Sequence, residues 1–359
     1  MSVLVTSPSR LHFGLIDLNG ELGRVDGGIG VALNEPSLKI EVSAVGEGGS
    51  GSRNGSRNGS RNGSRNGKYR VKILKSLPSH VGLGSRTQLS LSVAKAISVL
   101  ENQDRVLENQ DRTRDRDRER NAAELAKQVG RGGTSGIGTA AFENGGFILD
   151  GGHAFQRGEE GSEGEESEGA GRGFKTSFLP SSASKVPPPP VLFQHPLPED
   201  WFFVVAIPGV QRGAHGVEEV EIFRRCCPIK REEVEKICRL VLVRILPAVL
   251  ENDLNTFAAS LTGLQTVGFK KIEVGLQHEK IKELFGFFDA HPHALGYGMS
   301  SFGPATYAVV EGERRAEELA AATKEFLDEK GKGDRKREGA RAFVTYSNAN
   351  NSGSEVEVR

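Results

Sequence analysis

The sequence predicts an α+β fold in two domains. Strand-like and helix-like stretches follow one another in mixed order, which indicates elements packed in two layers. At 359 residues the chain is long enough for more than one hydrophobic core. Between residues 157 and 190 the composition turns to Gly, Glu and Ser and then to a proline run at 187–190, which reads as a loose surface excursion and a domain boundary. The halves are residues 1–190 and 191–359.

In chain order, residues 3–6 read as a short strand. They feed a segment at 9–33 crowded with glycine and polar groups between apolar patches. Residues 37–45 and 68–74 alternate as strands. Between them GSRN is repeated four times from 51 to 66, a low-complexity excursion that cannot bury a core. A second expansion carries LENQDR at 100–105 and again at 107–112, followed by TRDRDRER. Mixed charge without an apolar stripe means a solvated helix or disorder. A helix at 122–129 runs into GRGGTSGIGTAAF, and a strand at 146–150 ends in Asp150. Beyond the boundary, Trp201–Ile207 is a buried strand and residues 231–250, 253–265 and 277–290 are amphipathic helices. A glycine-rich loop at 296–303, a strand at Thr306–Glu311, a charged helix at 315–330 and a strand at 342–347 complete the chain.

Composition excludes several classes of function. Lys plus Arg and Asp plus Glu each number 47, so no global field favours nucleic acid, a membrane or an acidic partner. The inserts near 48–67, 101–120 and 157–190 dilute a hydrophobic fraction of 36%. Cys226, Cys227 and Cys238 are crowded together without a C-x-x-C pair and read as reduced thiols. The N-terminus MSVLVTSPSR has no long apolar core, and no apolar run reaches membrane length. A soluble, cytoplasmic protein is expected.

The stretch richest in chemistry is LPSHVGLGSRTQLSLSVAKA at 77–96. Pro78, Gly82, Leu83 and Gly84 lead into Ser85, Arg86, Thr87 and Gln88. From there Leu89, Val93, Ala96, Ile97 and Leu100 recur on one helix face. Glycines before a helix let backbone approach a ligand, and the helix N-terminus favours an anion, most often phosphate. The pattern alone is equally a helix cap with a tight turn.

Its spelling, P-x-x-x-G-L-G-S, resembles the phosphate loop of the GHMP superfamily of small-molecule kinases, although Arg86-Thr87-Gln88 departs from the usual second Ser and small residues. Three further blocks, at 7–33, 130–153 and 298–311, resemble the β-ribofuranosylaminobenzene 5'-phosphate synthases within that superfamily. The resemblance implies a GHMP-kinase-like fold, an N-terminal α/β domain with the phosphate loop and a C-terminal ferredoxin-like α+β domain. It implies a cytoplasmic homodimer that condenses phosphoribosyl pyrophosphate with 4-hydroxybenzoate or 4-aminobenzoate, losing carbon dioxide and pyrophosphate, in tetrahydromethanopterin biosynthesis. No nucleic acid or membrane partner is implied. The kinases' S-G-x-D block reads here Ser135-Gly136-Ile137-Gly138, so Gly138 replaces the Asp that assists an acceptor hydroxyl. A carbon nucleophile needs no base at the attacking atom.

Pyrophosphate departure implies magnesium as cofactor, with Asp17 and Asp150 as expected ligands; each is otherwise a turn or cap residue. Arg10 and His12, two apart on an extended stretch, and Asp26 are the expected catalytic residues. Arg86 and Arg131 are expected anion contacts, since a guanidinium presents a planar fork of donors. Ser135, Gly136, His215 and Glu219 are expected near substrate, the last two on a loop after Trp201–Ile207. Ser300 and Ser301 are expected in a second glycine loop that approaches the phosphate loop. An ATP-dependent kinase of a small alcohol and a non-catalytic binding protein are the alternatives.

Overall fold

The structure is a computed structural model that describes residues 1–45, 65–66, 68–108, 121–133, 135–156, 174–180, 186–210, 216–331 and 341–359. Most of the GSRN block, the second LENQDR repeat beyond residue 108, the Glu-rich stretch 157–173 and His215 lie outside the described residues.

The first sheet is built on a long hairpin of β1 (Ser2–Asp17) and β2 (Arg24–Ala44), paired antiparallel along nearly their full length. The short strand and polar segment expected over 3–33 are therefore two long strands. Register shifts between Ser7 and Ser9 and between His12 and Gly14 displace the two-residue alternation. Buried Ser7, Ser9 and His12 then interrupt the apolar pattern. The sheet continues through β3 (Arg65–Asn66) and β4 (Tyr69–Lys75). Helices α1 (Ser85–Glu108), α2 (Ala122–Gln128) and α3 (Ile137–Glu143) pack on it, followed by β5 (Phe147–Asp150), β6 (His153–Phe155), β7 (Phe174–Lys175) and β8 (Val191–His195). The predicted face of α1 is the buried one: Ala96 and Leu100 join Val3, Val5, Ile40 and Val42, with Leu89, Val93 and Ile97 packed alongside.

The second sheet holds β9 (Trp201–Ile207). Helices α4 (Val217–Cys226), α5 (Arg231–Leu240), α6 (Leu246–Glu251), α7 (Leu254–Leu264), α8 (Gly268–Gly275) and α9 (Glu279–Ala290) come next. Then follow β10 (Gly296–Met299), β11 (Thr306–Glu311), α10 (Glu313–Gly331), β12 (Phe343–Asn348) and β13 (Glu355–Val358). Its order β10-β11-β9-β12 is antiparallel throughout, the β-α-β-β-α-β arrangement of a ferredoxin-like layer. The helix expected over 231–250 runs from Arg231 to Glu251 with a π turn at Val241–Ile245 inside it, and Pro247, without an N–H, stands in the first turn of α6. The expected glycine loop at 296–303 begins as strand β10, and the expected loop carrying Glu219 is the first turn of α4.

Three departures tie the halves together. Val191–His195 pairs with β5, and β13 returns to pair with β1, so both belong to the first sheet. The proline run is packed rather than loose. Pro188 lies over Gly132 and Pro189 over Gly136, the carbonyl of Pro187 meets the His153 ring, and that of Pro190 accepts from the N–H of Gly151. The largest core cluster joins Phe13, Val31 and Phe147 of the first sheet to Phe203, Tyr307 and Phe257 of the second layer.

Candidate active site

The phosphate loop is held by its carbonyls, which leaves the N-terminus of α1 free. The Leu83 carbonyl accepts from the Arg10 N–H (3.2 Å), and the Val81 carbonyl from the Ala305 N–H (2.9 Å). The Gly82 carbonyl accepts from Ser300 Oγ (2.6 Å) and from the Arg10 guanidinium. Gly82 and Gly84 take φ of +94° and +80°, a backbone that favours glycine. The loop follows half-buried Pro78 and encloses buried Leu83. The Gln88 N–H makes the first helical bond, to Gly84, while no backbone acceptor meets the N–H groups of Ser85, Arg86 or Thr87 among the described residues. No carboxylate stands in the first turn. This is the geometry and polarity of an anion site.

Basic groups surround it. Arg86 is exposed and has no ion pair among the described residues. Arg131 Nε is buried with no hydrogen-bond partner there, and burial followed by the charge of Arg86 lowers its proton affinity. Two guanidiniums that repel one another, neither in an ion pair among the described residues, are arranged for an anion. Glu219 in α4 is half-buried, its carboxyl pushed up to about 7 by burial and then by Glu273, with Arg86 opposing.

Arg10 and His12 extend along β1 from the loop, as the two-residue spacing implies. Burial pulls Arg10 down to about 10. His12 is 7% exposed, and its Nδ1 is buried without a hydrogen-bond partner among the described residues. Burial, then the charges of Arg10 and Lys270, push it well below the usual imidazole range, so it is neutral at pH 7. A side-chain carbon on Gly28 would stand 2.8 Å from Ser135 Oγ, 3.0 Å from His12 Nε2 and 3.1 Å from Asp150 Oδ2. Three polar groups from separate elements thus converge on one glycine.

Asp150 Oδ2 accepts from Ser135 Oγ (3.0 Å) and the Gly136 N–H (2.8 Å), and Oδ1 from the Gly152 N–H (3.0 Å). Its carboxyl, fully buried, is pushed up to about 6 by burial. Asp150 therefore anchors the chain entering α3. Asp17 Oδ1 accepts from the N–H groups of Asn19 (2.7 Å) and Gly20 (3.0 Å), an Asx turn rather than a metal site. Among the described residues no group of three or more His, Cys, Asp or Glu side chains is arranged to hold a metal ion. The expected magnesium ligands do not fit a protein-held ion.

Other expected contacts are also spoken for. Asp26, expected to be catalytic, is enclosed. Lys175 Nζ reaches its two oxygens at 3.2 and 2.9 Å, and His153 Nδ1 stands 2.7 Å from Oδ2. With φ of +70° it fixes the bend that delivers Gly27 and Gly28. The Gln88 amide donates to the Gly138 carbonyl (2.8 Å), joining α1 to α3, and Thr87 packs beside Gly138. Ser300 accepts from the His12 N–H (2.9 Å) while donating to Gly82, so its hydroxyl is a latch between the two layers. The Ser301 N–H donates to the His12 carbonyl (2.9 Å), and its own carbonyl accepts from Lys270 Nζ (3.0 Å). The second loop thus reaches the first, as expected, through structural bonds. Sequence reasoning missed Lys270 and Glu273, a buried ion pair behind His12, and the partners of Asp26.

The two-layer α+β fold is the one found in solved GHMP kinases. The solved homoserine kinase of Cytophaga hutchinsonii superposes with a TM-score of 0.55 at 14% identity, covering 99% of this chain and 97% of that one. The galactokinase of Lactococcus lactis, solved with galactose, gives 0.55 at 13%, covering 99% and 95%. Residues 245–329 match the family model described as GHMP kinases C terminal. The chain is 40% identical to the β-ribofuranosylphenol 5'-phosphate synthase of Methanocaldococcus jannaschii, covering 85% of this chain and 89% of that protein. To that of Archaeoglobus fulgidus it is 37% identical over 98% of both. The chain belongs to the β-ribofuranosylphenol 5'-phosphate synthase family.

Proposed function

We propose that this enzyme is a decarboxylating pentosyltransferase. It joins phosphoribosyl pyrophosphate to 4-hydroxybenzoate, giving a β-ribofuranosylphenol 5'-phosphate, carbon dioxide and pyrophosphate, early in tetrahydromethanopterin synthesis. The observation that carries this reading is the likeness to synthases named for that product, over 85% or more of the chain. Neither a small-alcohol kinase nor a non-catalytic binding protein is favoured by those relatives.

The ring carbon bearing the carboxylate attacks the anomeric carbon as the bond to pyrophosphate breaks. The carbon–carboxylate bond then breaks, carbon dioxide leaves, and its electron pair restores the aromatic ring. The first turn of α1, with Arg86 and Arg131, stabilises the departing anion; such fixed electrostatics are usually the largest single catalytic contribution. Gly138 and Thr87 leave no carboxylate at the kinase base position, and none is needed by a carbon nucleophile. Glu219 accepts a hydrogen bond from the para hydroxyl, pushing electron density towards the attacking carbon.

Magnesium in our reading accompanies the pyrophosphate, because this ion keeps most of its water and favours phosphate oxygens over all-protein cages. We also read the enzyme as a cytoplasmic homodimer, checked by sedimentation. No helix among the described residues is long and apolar enough to cross a membrane. The decisive experiment is incubation with phosphoribosyl pyrophosphate, magnesium and carboxyl-labelled 4-hydroxybenzoate, without ATP. Release of labelled carbon dioxide is expected; ATP-dependent phosphorylation of small alcohols with no such release would overturn the reading.

A further inference from the structure

Lys270 is a charged side chain in an interior position of α8, 3% exposed, where a cation is costly unless it is paired. Glu273, one turn further on, supplies the opposite charge. Such a pair often adds no net stability over apolar residues of similar volume, because desolvating two charges offsets their attraction. What Lys270 does that an apolar residue could not is donate. Its Nζ gives a hydrogen bond to the Ser301 carbonyl (3.0 Å), in the turn that follows β10.

That turn is the part of the second layer that grips the phosphate loop. Ser301 stands at φ +51°, in the left-handed region that residues other than glycine rarely take, so its conformation needs support from outside. Lys270 holds the Ser301 carbonyl, and the next carbonyl, of Phe302, accepts from the Gln277 amide just beyond α8 (3.1 Å). On the opposite side the Ser301 N–H donates to the His12 carbonyl. Ser300 Oγ accepts from the His12 N–H and donates to the Gly82 carbonyl. The approach to Gly82 is close: a side-chain carbon there would stand 2.2 Å from the Ser300 carbonyl oxygen. Lys270 thus lies at one end of a chain of bonds and the phosphate loop at the other. The Gly82 carbonyl, once fixed, sets the direction of the short turn that leads into α1 and its free N–H groups.

We propose that Lys270 is a positioning residue for the phosphate loop: by holding the Ser301 carbonyl it sets the Ser300 latch, and so the aim of the N–H groups at the start of α1. The inference rests on the transferase reading above, in which those groups stabilise the departing pyrophosphate. The test compares wild type, Ser300→Ala, Lys270→Met/Glu273→Leu and the triple variant. It reads carbon dioxide release, calorimetric binding of pyrophosphate with magnesium, and thermal melting. The paired change strands no charge, so its melting temperature should stay close to that of wild type. Its kcat should nevertheless fall roughly ten- to a hundredfold, the effect of misplacing catalytic groups, with KM for phosphoribosyl pyrophosphate little changed. Affinity for free pyrophosphate should fall with kcat. Ser300→Ala should lower kcat in the same way, and adding it to the paired variant should cost far less, because both changes act through one contact. A folded paired variant with wild-type kcat, as a purely structural pair would give, overturns the positioning role. So do losses that multiply in full. Should circular dichroism show the paired variant misfolded, Glu273→Gln is read in its place. It keeps the Lys270 donor and should keep kcat; loss of kcat in it overturns the proposal. Failure of wild type to release carbon dioxide or to bind pyrophosphate overturns the transferase reading as well.

Discussion

Glu219 and Asp150 are both carboxyls pushed upward by burial, yet they serve different ends. Glu219, at about 7 with the charge of Arg86 opposing, is in our reading the acceptor for the para hydroxyl, and a stronger one when ionised. In wild type kcat/KM should therefore rise as the pH passes upward through about 7 and level off above it. Glu219→Gln should flatten that limb at a lower plateau; an unchanged profile would remove Glu219 from the chemistry. Asp150, at about 6 against an ordinary 3.8, holds its proton more tightly folded than unfolded. Its contribution to stability is then fully present below about 3.8 and is lost as pH rises through about 6. Comparing urea unfolding of wild type and Asp150→Asn between pH 4 and pH 7 isolates this one group. The difference should move in favour of the variant as pH rises; movement the other way would mean that its three donors outweigh burial.

At the scale of elements, the hairpin that carries the GSRN block closes before the block begins. The Val45 N–H donates to the Lys68 carbonyl (2.9 Å), and Ala44 already opposes Tyr69. Replacing residues 46–64 with a short Gly/Ser turn, which keeps β3, should leave the melting temperature within a few degrees, because loop length costs only about 0.6 kcal/mol per doubling. A large loss of stability or activity in that variant would give the block a packed or catalytic role. The same element view explains what could be read in advance. Trp201–Ile207 and Thr306–Glu311 were legible as continuous apolar runs, and the α1 face because its period runs unbroken. The β1–β2 hairpin was not, since two register shifts and buried polar residues scramble its alternation. Short α3 and α4, bounded by glycines at 136 and 216, gave too little periodic signal. In the site, the glycine loop and the Arg10–His12 pair were legible from local spacing. The enclosure of Asp26 was not legible because its partners stand 127 and 149 residues away, and Lys270 was missed because it looks like the polar position of an amphipathic helix.

On the scale of the whole molecule, two sheets share one core, and the chain crosses between them more than once. Phe13 of β1 stands 5.2 Å from the Tyr307 ring, 6.2 Å from Phe257, 6.4 Å from Phe203 and 6.5 Å from Phe147. β13 returns from the second layer to pair with β1, and the Ser300 latch fastens the phosphate loop to β10. Neither layer can therefore lose its packing without stripping apolar surface from the other. The enzyme should unfold in one cooperative transition despite its length. Trp201, the single tryptophan, sits in β9 against Phe257 and reports the second sheet by fluorescence, while far-ultraviolet circular dichroism reports both layers. The two melting curves should coincide in wild type. Phe13→Ala, a change in the first sheet, should destabilise by about 3–5 kcal/mol and shift the Trp201 transition by the same amount as the dichroism. A Trp201 signal that keeps its wild-type midpoint in Phe13→Ala while the dichroism moves would show two independently folding layers, and the site between them would then depend on docking rather than on a common core.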